Sequence, residues 1–415
     1  MKYKNNYLLI FYFLFLVLIS IIEPIRNPTN TLYYLSVSTL LLTSYIAIIY
    51  SQQNVTFTKL VILYILTRII IFPMQAWLSD DVFTYLWQGK LFAHGINVYE
   101  FMPLDIKLDI YRDLNSLRMG NLTVPAIYPP LSVIIFSLNY KLANIFSSNE
   151  LLQFYTWKLI LLLCEISTLL LLKFKLKVDN LKLILYILCP LPLIEIIGQG
   201  HNDALLLPVI AVLLLNFENK NNKLINSFLL TIGTLIKMVP IFCFPLIVFK
   251  DKLKYNTYNL ILSILLLIVA LIASYIIFFD SKVAISNYQL GMNYYNIRAS
   301  FFSAPLETVK YVLQFANVAN YWEIAPYIVY YSKFLGIIAI SIFFFFKKNA
   351  DKVDYITFIL LASYLIANKV HTWYFVPIIL LLTIKADRTL IIILSISILS
   401  YTKLRSNIEE RICFI

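Results

Sequence analysis

Two adjacent aspartates, Asp80 and Asp81, are the residues of this chain whose type and position point most directly to chemistry. They follow an apolar stretch and precede a helical segment, so one interpretation is a cap for a helix beginning near Val82. The other interpretation is a general base. Partial desolvation and a like-charged neighbour both raise the pKa of a carboxylate, which suits it to take a proton from a hydroxyl. Catalysis is favoured, and both interpretations stay open.

A polar turn interrupts the apolar sequence at residues 197–203, which read Ile-Gly-Gln-Gly-His-Asn-Asp. The side chains of His201, Asn202 and Asp203 can hydrogen-bond a sugar or an acceptor. The alternative is a turn that only caps the next helix. His201 and Asp203 are too few and too widely spaced to predict a metal site.

Two charged residues lie inside apolar stretches, Arg68 and Lys237. A charge at membrane depth is costly and is a functional candidate by default. We predict that both bind the phosphate of a lipid substrate, the alternative being side chains that reach the membrane surface. Arg298, in a segment rich in Asn and Tyr, is predicted to bind the same phosphate through its forked guanidinium, unless it is an ordinary surface charge.

His371, Trp373 and Tyr374 form a last polar and aromatic group. The preference of aromatic side chains for membrane interfaces explains Trp373 and Tyr374, which are also suited to bind a sugar ring. It does not explain His371. We predict that His371 stabilises negative charge on a leaving phosphate, the alternative being a helix cap.

The composition indicates the elements that must position these residues. Of 415 residues, 60% are hydrophobic and 13% are charged, whereas about 25% are charged in soluble proteins. Apolar stretches of roughly 18 residues recur, which is the length that crosses a bilayer. Hydropathy predicts about ten to twelve transmembrane helices, and we expect one all-α integral membrane domain over residues 1–415. Examples of the apolar stretches are residues 7–22, 31–50, 151–172, 255–279 and 326–346.

Short basic loops set the predicted orientation, because cytoplasmic loops are enriched in Lys and Arg. The basic loops are residues 173–182, 250–254, 347–352 and 385–388. An outer catalytic loop then spans residues 76–126, and the outer segments contain all three histidines, His94, His201 and His371. The basic loops also account for the net charge of +12, so we predict no nucleic-acid partner.

Two local features are expected around the outer loop. An amphipathic helix carrying Tyr85 follows the aspartates and ends at Gly95, and a Tyr128-Pro129-Pro130 turn lies further on. Tyr85 and Tyr128 are predicted sugar-binding residues because aromatic faces suit a polyhydroxylated ring. Lys237 and Pro240 interrupt a long apolar run, which is expected to form either two short half-helices that meet near Lys237 or one full span.

In their order along the chain, these motifs resemble the type-C glycosyltransferase superfamily, and within it the bacterial polyprenyl-phosphate-mannose-dependent mannosyltransferases. The resemblance covers roughly residues 68–377. The motifs that carry it are Asp80-Asp81, Gly95–Tyr99, Tyr128-Pro129-Pro130, Gly200-His201-Asn202-Asp203, Lys237–Pro240 and His371-Thr372-Trp373-Tyr374. Thr372 stands where members of the family often carry a proline.

The resemblance implies a type-C fold with one or two interfacial helices in the first outer loop. It implies an inverting transfer of a hexose, mannose above all, from a polyprenyl-phosphate donor to a glycolipid or glycan acceptor. The active face would lie outside the bacterial cytoplasmic membrane, with Asp81 or Asp80 as the base. It implies no certain cofactor, although an acidic pair could hold a divalent metal weakly.

Two other functional classes stay open. A flippase or transporter for a lipid-linked glycan also needs apolar helices and intramembrane charges, but its polar residues would line both halves of the membrane. A glycan polymerase or ligase uses similar lipid-linked substrates without requiring paired aspartates. The collection of polar residues on one predicted face favours the transferase.

Overall fold

The structure is a computed structural model that describes residues 4–22, 28–52, 54–219, 223–245, 257–347 and 351–403. The predicted basic loop at residues 250–254 lies outside the described residues, and so does part of the loop at residues 347–352.

Helices fill the described ranges, which contain no β-strand, so the predicted all-α class is confirmed. The α-helices are Lys4–Ile21, Pro28–Ser51, Phe57–Ile71, Asp81–Ala93, Leu114–Leu117, Pro130–Asn144, Glu150–Leu170, Asn180–Ile187, Pro190–Pro192, Leu206–Asn219, Lys223–Ile236, Thr257–Phe278, Lys282–Asn293, Ala304–Phe315, Tyr321–Phe346, Lys352–Leu365, Val376–Lys385 and Arg388–Ser395. The 3-10 helices are Ile106–Tyr111, Asn202–Leu205, Val239–Cys243, Thr372–Phe375 and Ile396–Lys403, and the π-helices are Leu171–Lys175, Leu193–Gly198 and Tyr294–Arg298.

Two described helices, Asn30–Ser51 and Tyr321–Phe346, are long and apolar enough to cross a membrane. The number rises to four if each of two bent helix pairs is one span. This is fewer than the ten to twelve spans predicted from hydropathy, because several apolar stretches form helices of 10–17 residues or bend. Residues Asn180–Ile187 and Pro190–Gly198, for example, meet at 48°. These apolar helices support a membrane protein, and the larger number of spans stays a prediction.

The chain forms two compact units. The first contains Met1–Val82, Trp157–Ala204 and Phe375–Ile415, and the second contains Phe83–Thr156 and Leu205–Tyr374.

Buried tyrosines stabilise the bend in the first unit. Pro192 has no N–H to donate to the Leu188 carbonyl four residues earlier. The hydroxyl of Tyr12 donates to this carbonyl instead, at 2.6 Å. The hydroxyl of Tyr45 similarly donates to the Leu185 carbonyl at 2.7 Å. The broken helix therefore keeps its buried carbonyls hydrogen-bonded.

In the second unit the described chain breaks at Lys237, which agrees with one of the two predicted arrangements. The helix Lys223–Ile236 ends immediately before Lys237, and the 3-10 helix Val239–Cys243 follows. Pro240 cannot donate to the Ile236 carbonyl, and the hydroxyl of Ser132 donates to it at 2.7 Å. The side chain of Lys237 thus emerges at a helix end and is half-buried.

Candidate active site

A buried lysine fixes the segment that leads to the two aspartates. The ammonium group of Lys158, which is fully buried, donates to the carbonyls of Phe72 at 2.5 Å and Met74 at 2.8 Å. These carbonyls follow the end of the helix Phe57–Ile71, where a cation is favourable because helix carbonyls there lack partners. Lys158 therefore determines where the chain turns towards Asp80.

The side chain of Gln199 joins the same segment to the polar turn. Its oxygen accepts a hydrogen bond from the Leu78 N–H at 2.8 Å, and its amide nitrogen donates to the Gln75 carbonyl at 3.2 Å. Gln199 is completely buried. Because one planar amide makes both hydrogen bonds, they set the distance and the orientation between residues 75–78 and the polar turn.

The glycine of the polar turn permits a close approach. Gly200 has a φ of +78°, and a Cβ added there would lie 3.1 Å from Val82 Cγ2 and 3.3 Å from Trp157 Cδ1. The indole N–H of Trp157 donates to the Gly200 carbonyl at 2.7 Å. The turn therefore packs against the residue that follows Asp81, as only glycine allows.

The two aspartates differ in exposure. Asp80 is exposed, whereas Asp81 is half-buried and is the first residue of the helix Asp81–Ala93. The backbone N–H of Asp81 donates to the Ser79 hydroxyl at 3.3 Å. The N-terminal end of a helix stabilises a nearby carboxylate. This position at the start of the helix is consistent with the predicted cap, and the role of base stays a prediction.

The other predicted residues of the turn are buried. His201 and Asp203 are fully buried, and Asn202 is nearly so. The amide nitrogen of Asn202 has no hydrogen-bond partner among the described residues. A buried donor without a partner is unfavourable, so a ligand oxygen that accepts a hydrogen bond from this amide would be bound favourably. Within the described ranges, no three His, Cys, Asp or Glu side chains are grouped to hold a metal ion.

A model of the MptA_B family, described as alpha-(1->6)-mannopyranosyltransferase, N-terminal domain, matches residues 19–250, which is more than half of the chain. The chain belongs to this family. A mannosyltransferase activity follows from the family assignment. The matched range contains the predicted site residues from Arg68 to Lys237, whereas Arg298, His371, Trp373 and Tyr374 lie beyond it. No curated protein and no solved structure matches the chain.

The structure gives Arg68 of this mannosyltransferase-family protein a partner that the prediction did not include. Its guanidinium forms a bidentate ion pair with Glu165, at 3.0 Å and 2.8 Å. It also donates to the Thr67 hydroxyl and the Ile187 carbonyl. Four of its five N–H donors therefore have protein acceptors, and the residue is buried. We consequently assign Arg68 a structural role in place of the predicted phosphate contact.

The Arg68–Glu165 pair leads to a stability prediction. Replacing Glu165 by Gln leaves the buried guanidinium without a counter-charge, and we expect the free energy of unfolding to fall by about 3–5 kcal/mol. Replacing the pair together, as Arg68→Met with Glu165→Leu, removes the unpaired charge and should restore most of this loss. Thermal unfolding in detergent measures both effects. A double variant no more stable than Glu165→Gln would contradict the structural role.

In the second unit, the ammonium group of Lys237 lies on aromatic faces. It is 4.5 Å from the centroid of the Tyr374 ring and 5.7 Å from that of Tyr364. The two tyrosine rings stack at 4.8 Å. Contacts of this kind orient a lysine and stabilise its charge without neutralising it. Lys237 stays a predicted phosphate residue.

His371 lies between two aromatic rings. Its imidazole stacks on Trp373 at 4.0 Å and on Phe301 at 5.0 Å, and it meets the edge of Tyr374 at 5.5 Å. The backbone supports this stack, because the Val370 N–H donates to the Phe301 carbonyl at 2.8 Å. The structure therefore brings together Lys237, His371, Trp373 and Tyr374 of the predicted set.

Arg298 lies at the surface of the second unit. It ends the π-helix Tyr294–Arg298 and is exposed, and it has no ion pair within the described residues. The nearby loop is held in place by Asn368, whose amide donates to the carbonyls of Asn296 and Pro326, both at 2.8 Å. Arg298 stays a predicted phosphate residue.

Tyr85 and Tyr128 form a separate aromatic group in the second unit. Their rings meet edge to face at 5.0 Å, and Tyr85 stacks on Phe136 at 4.9 Å. Tyr85 is fully buried, and the Tyr99 hydroxyl donates to the Tyr128 carbonyl at 2.5 Å. Because Tyr128 is the more exposed of the pair, we expect it to contact a ligand and Tyr85 to support it.

Sequence reasoning missed several buried charged residues that the structure places here. Lys158, Glu165 and Glu195 all lie in apolar stretches, so the rule that selected Arg68 and Lys237 would also have selected them. Tyr401, which donates to the carboxylate of Glu195, carried no such signal.

Proposed function

We propose that this protein transfers a mannosyl group from a polyprenyl-phosphate donor to a glycolipid or glycan acceptor at the outer face of the bacterial cytoplasmic membrane. The observation that carries the proposal is the link between the segment around Asp80-Asp81 and the Gly198–Asp203 turn, made by the hydrogen bonds of Gln199 to Gln75 and Leu78 and by the packing of Gly200 against Val82. The link supports the proposal because it joins the two carboxylates to a polar turn whose side chains suit hydroxyl groups, in a chain of a mannosyltransferase family.

The proposed reaction is a single displacement. The carboxylate of Asp81, or of Asp80, takes the proton from an acceptor hydroxyl. The acceptor oxygen attacks the anomeric carbon while the bond from that carbon to the phosphate oxygen breaks, and the electron pair leaves with the phosphate. One base suffices, in contrast to retaining hydrolases, where a second carboxylate attacks the sugar.

The family description also suggests the stereochemistry. It names an alpha-(1->6) product, and an inverting reaction gives an alpha product only from a donor of opposite anomeric configuration. We therefore propose a β-linked polyprenyl-phosphate mannose as the donor.

The leaving phosphate needs charge stabilisation more than protonation. We propose Lys237, His371 and Arg298 for this role, because cations aimed at developing negative charge stabilise a transition state. We propose Trp373, Tyr374 and Tyr128, with the turn residues His201, Asn202 and Asp203, for binding the sugar or the acceptor. Tyr85 supports Tyr128 through their ring contact.

The donor class can be tested directly with purified protein. We expect transfer to a membrane lipid extract from β-linked polyprenyl-phosphate mannose and none from a nucleotide-linked mannose. The product should have the alpha configuration by nuclear magnetic resonance. Transfer from the nucleotide donor alone would refute the proposed donor. Movement of the labelled lipid-linked sugar across vesicles without any transfer would favour a flippase.

A further inference from the structure

The helix Ala304–Phe315 of the second unit has two apolar faces, one packed and the other exposed. We propose that the exposed face, formed by Tyr311, Val312 and Phe315, lies in the headgroup region of the lipid bilayer. The helix then sets the depth of the neighbouring His371 in the membrane. This consequence rests on the proposed function, in which His371 meets the phosphate of a lipid-linked donor.

The first stripe of this helix packs against protein. Residues at positions i, i+3 and i+7 share one face of an α-helix. Leu306, Val309 and Leu313 have this spacing, and they pack with Ala325 and Val329 of the helix that follows. The packing fixes the rotation of the helix about its axis, so the other two stripes have defined directions.

The second stripe is polar. It consists of Glu307, Lys310 and Gln314, each one position after a residue of the packed stripe. Lys310 Nζ lies 3.1 Å from Glu307 Oε1, in an ion pair between successive turns. Because a charge is costly inside the hydrocarbon of a membrane, this stripe marks the face of the helix that stays in water.

The third stripe carries large apolar side chains although it is exposed. Thr308, Tyr311 and Phe315 have the same spacing, and Val312 lies beside them. Tyr311 is 70% exposed, Val312 56% and Phe315 82%. An apolar face beside a charged one is typical of a helix that lies in the plane of a membrane surface, where aromatic side chains are enriched.

The helix that follows supports lipid as the occupant of the exposed face. Tyr321–Phe346 is one of the two described helices that are long and apolar enough to cross a membrane. A helix of 26 residues is about 39 Å long, whereas the hydrocarbon core is about 30 Å thick, so its first turn can lie among the headgroups. That turn contains the exposed Trp322. Because Leu306 packs with Ala325 in the next turn, Ala304–Phe315 lies near this end of the span.

A short connection ties the helix to His371. The Ser303 hydroxyl accepts a hydrogen bond from the Leu306 N–H at 3.1 Å, which caps the helix, and donates to the Ala367 carbonyl at 2.6 Å. Two residues before Ser303, the ring of Phe301 stacks on His371. The depth of the helix therefore determines the depth of His371, and the phosphate of a polyprenyl-phosphate donor lies in the same headgroup region.

Tryptophan fluorescence measures the depth of each stripe. The full chain is reconstituted in vesicles of phosphatidylglycerol and phosphatidylcholine, with or without phosphatidylcholine brominated near the start of its acyl chains. We expect the emission that Phe315→Trp adds to the wild-type signal to be quenched by the brominated lipid and protected from acrylamide in the water. Gln314→Trp, a matched control on the polar stripe, should show the reverse. Tyr311→Trp provides a second variant of the exposed face if Phe315→Trp does not fold.

Two results of this measurement would overturn the proposal. The first is equal quenching by brominated lipid of Phe315→Trp and Gln314→Trp. The second is protection of both Phe315→Trp and Tyr311→Trp from both quenchers, which would mean that a protein surface covers the face.

Transfer rates test the link to the donor. Tyr311→Ser/Phe315→Ser removes both rings, and we expect kcat/KM for polyprenyl-phosphate mannose in vesicles to fall by about tenfold, because a misplacement of about 1 Å can cost about 100-fold. In detergent, where no bilayer sets the depth, this variant should stay within about twofold of wild type. The control Glu307→Gln/Lys310→Gln should do so in both media. Equal losses in vesicles and detergent would overturn the link to His371.

The two measurements separate the possible failures. The expected quenching in a protein that transfers no mannose from a lipid-linked donor would support the membrane-surface helix and count against the proposed function. Transfer by a protein whose Phe315→Trp and Gln314→Trp signals respond alike would support the function and overturn the inference.

Discussion

Replacing Asp81 by Asn should lower kcat for mannosyl transfer by about 10²–10⁴-fold, the usual contribution of a positioned base. Asparagine keeps the size and most hydrogen bonds of the aspartate but cannot take a proton from the acceptor hydroxyl. Initial rates at saturating polyprenyl-phosphate mannose measure the effect. Because Asp81 begins a helix beside the polar turn, we expect Asp80→Asn to cause the smaller loss.

A second carboxylate in the predicted outer loop provides the control. Asp109 is exposed and pairs with Arg112 at 2.6 Å in a short local ion pair, which contributes little to stability at a surface. Asp109→Asn should therefore keep the wild-type rate. A larger loss in Asp80→Asn would move the base to Asp80. Wild-type rates in a normally folded Asp80→Asn/Asp81→Asn double variant would contradict the proposed mechanism.

Replacing Lys237 by Met should lower kcat/KM for the lipid-linked donor by about 10- to 150-fold. Methionine keeps an unbranched chain over the Tyr374 ring but removes the charge. A hydrogen bond to a charged group contributes about 1.5–3 kcal/mol, which gives this range at 1.4 kcal/mol per tenfold change. Lys237→Arg keeps the charge and should retain part of the activity, because a guanidinium also binds phosphate.

Lys333 is a matched control for Lys237. It is also half-buried on aromatic faces, 5.1 Å from the Tyr330 ring centroid and 5.3 Å from that of Phe334. It belongs to the apolar helix Tyr321–Phe346, which contains none of the motifs that carry the resemblance. Lys333→Met should keep kcat/KM within about twofold, because substitutions outside a functional site commonly change free energies by no more than about 0.5 kcal/mol. Equal losses in the two methionine variants would show that the effect is not specific to phosphate binding.

Much of the local structure was predictable from neighbouring residues. The helix after Asp81 ends at Ala93, and Gly95 follows with a φ of +79°, near the predicted end. The break at Lys237 follows from Pro240, which removes a hydrogen bond from the helix. The amino-acid composition likewise identified an apolar, helical chain. Each of these features depends on a few consecutive residues.

Hydropathy predicts more spans than the two to four that the described helices show by length and composition. An apolar stretch counts as one crossing in a hydropathy profile, whether or not the helix bends within it. Pro190 and Pro192 bend one such stretch, and the hydroxyls of Tyr12 and Tyr45 satisfy the carbonyls that the bend exposes. A profile of single-residue values contains no term for hydrogen bonds from other helices.

The helical class, the break near Lys237, the end of the helix after Asp81 and the polar residues that interrupt the apolar stretches could all be predicted from the sequence. The tertiary structure alone decided which of those residues are paired. Arg68 meets Glu165, which is 97 positions away, and Tyr401 meets Glu195 across 206 positions. The physical reason is that helix formation and chain reversal depend on adjacent residues. The partner of a buried charge depends on how distant helices pack, because a charge removed from water must find its counterpart within the protein.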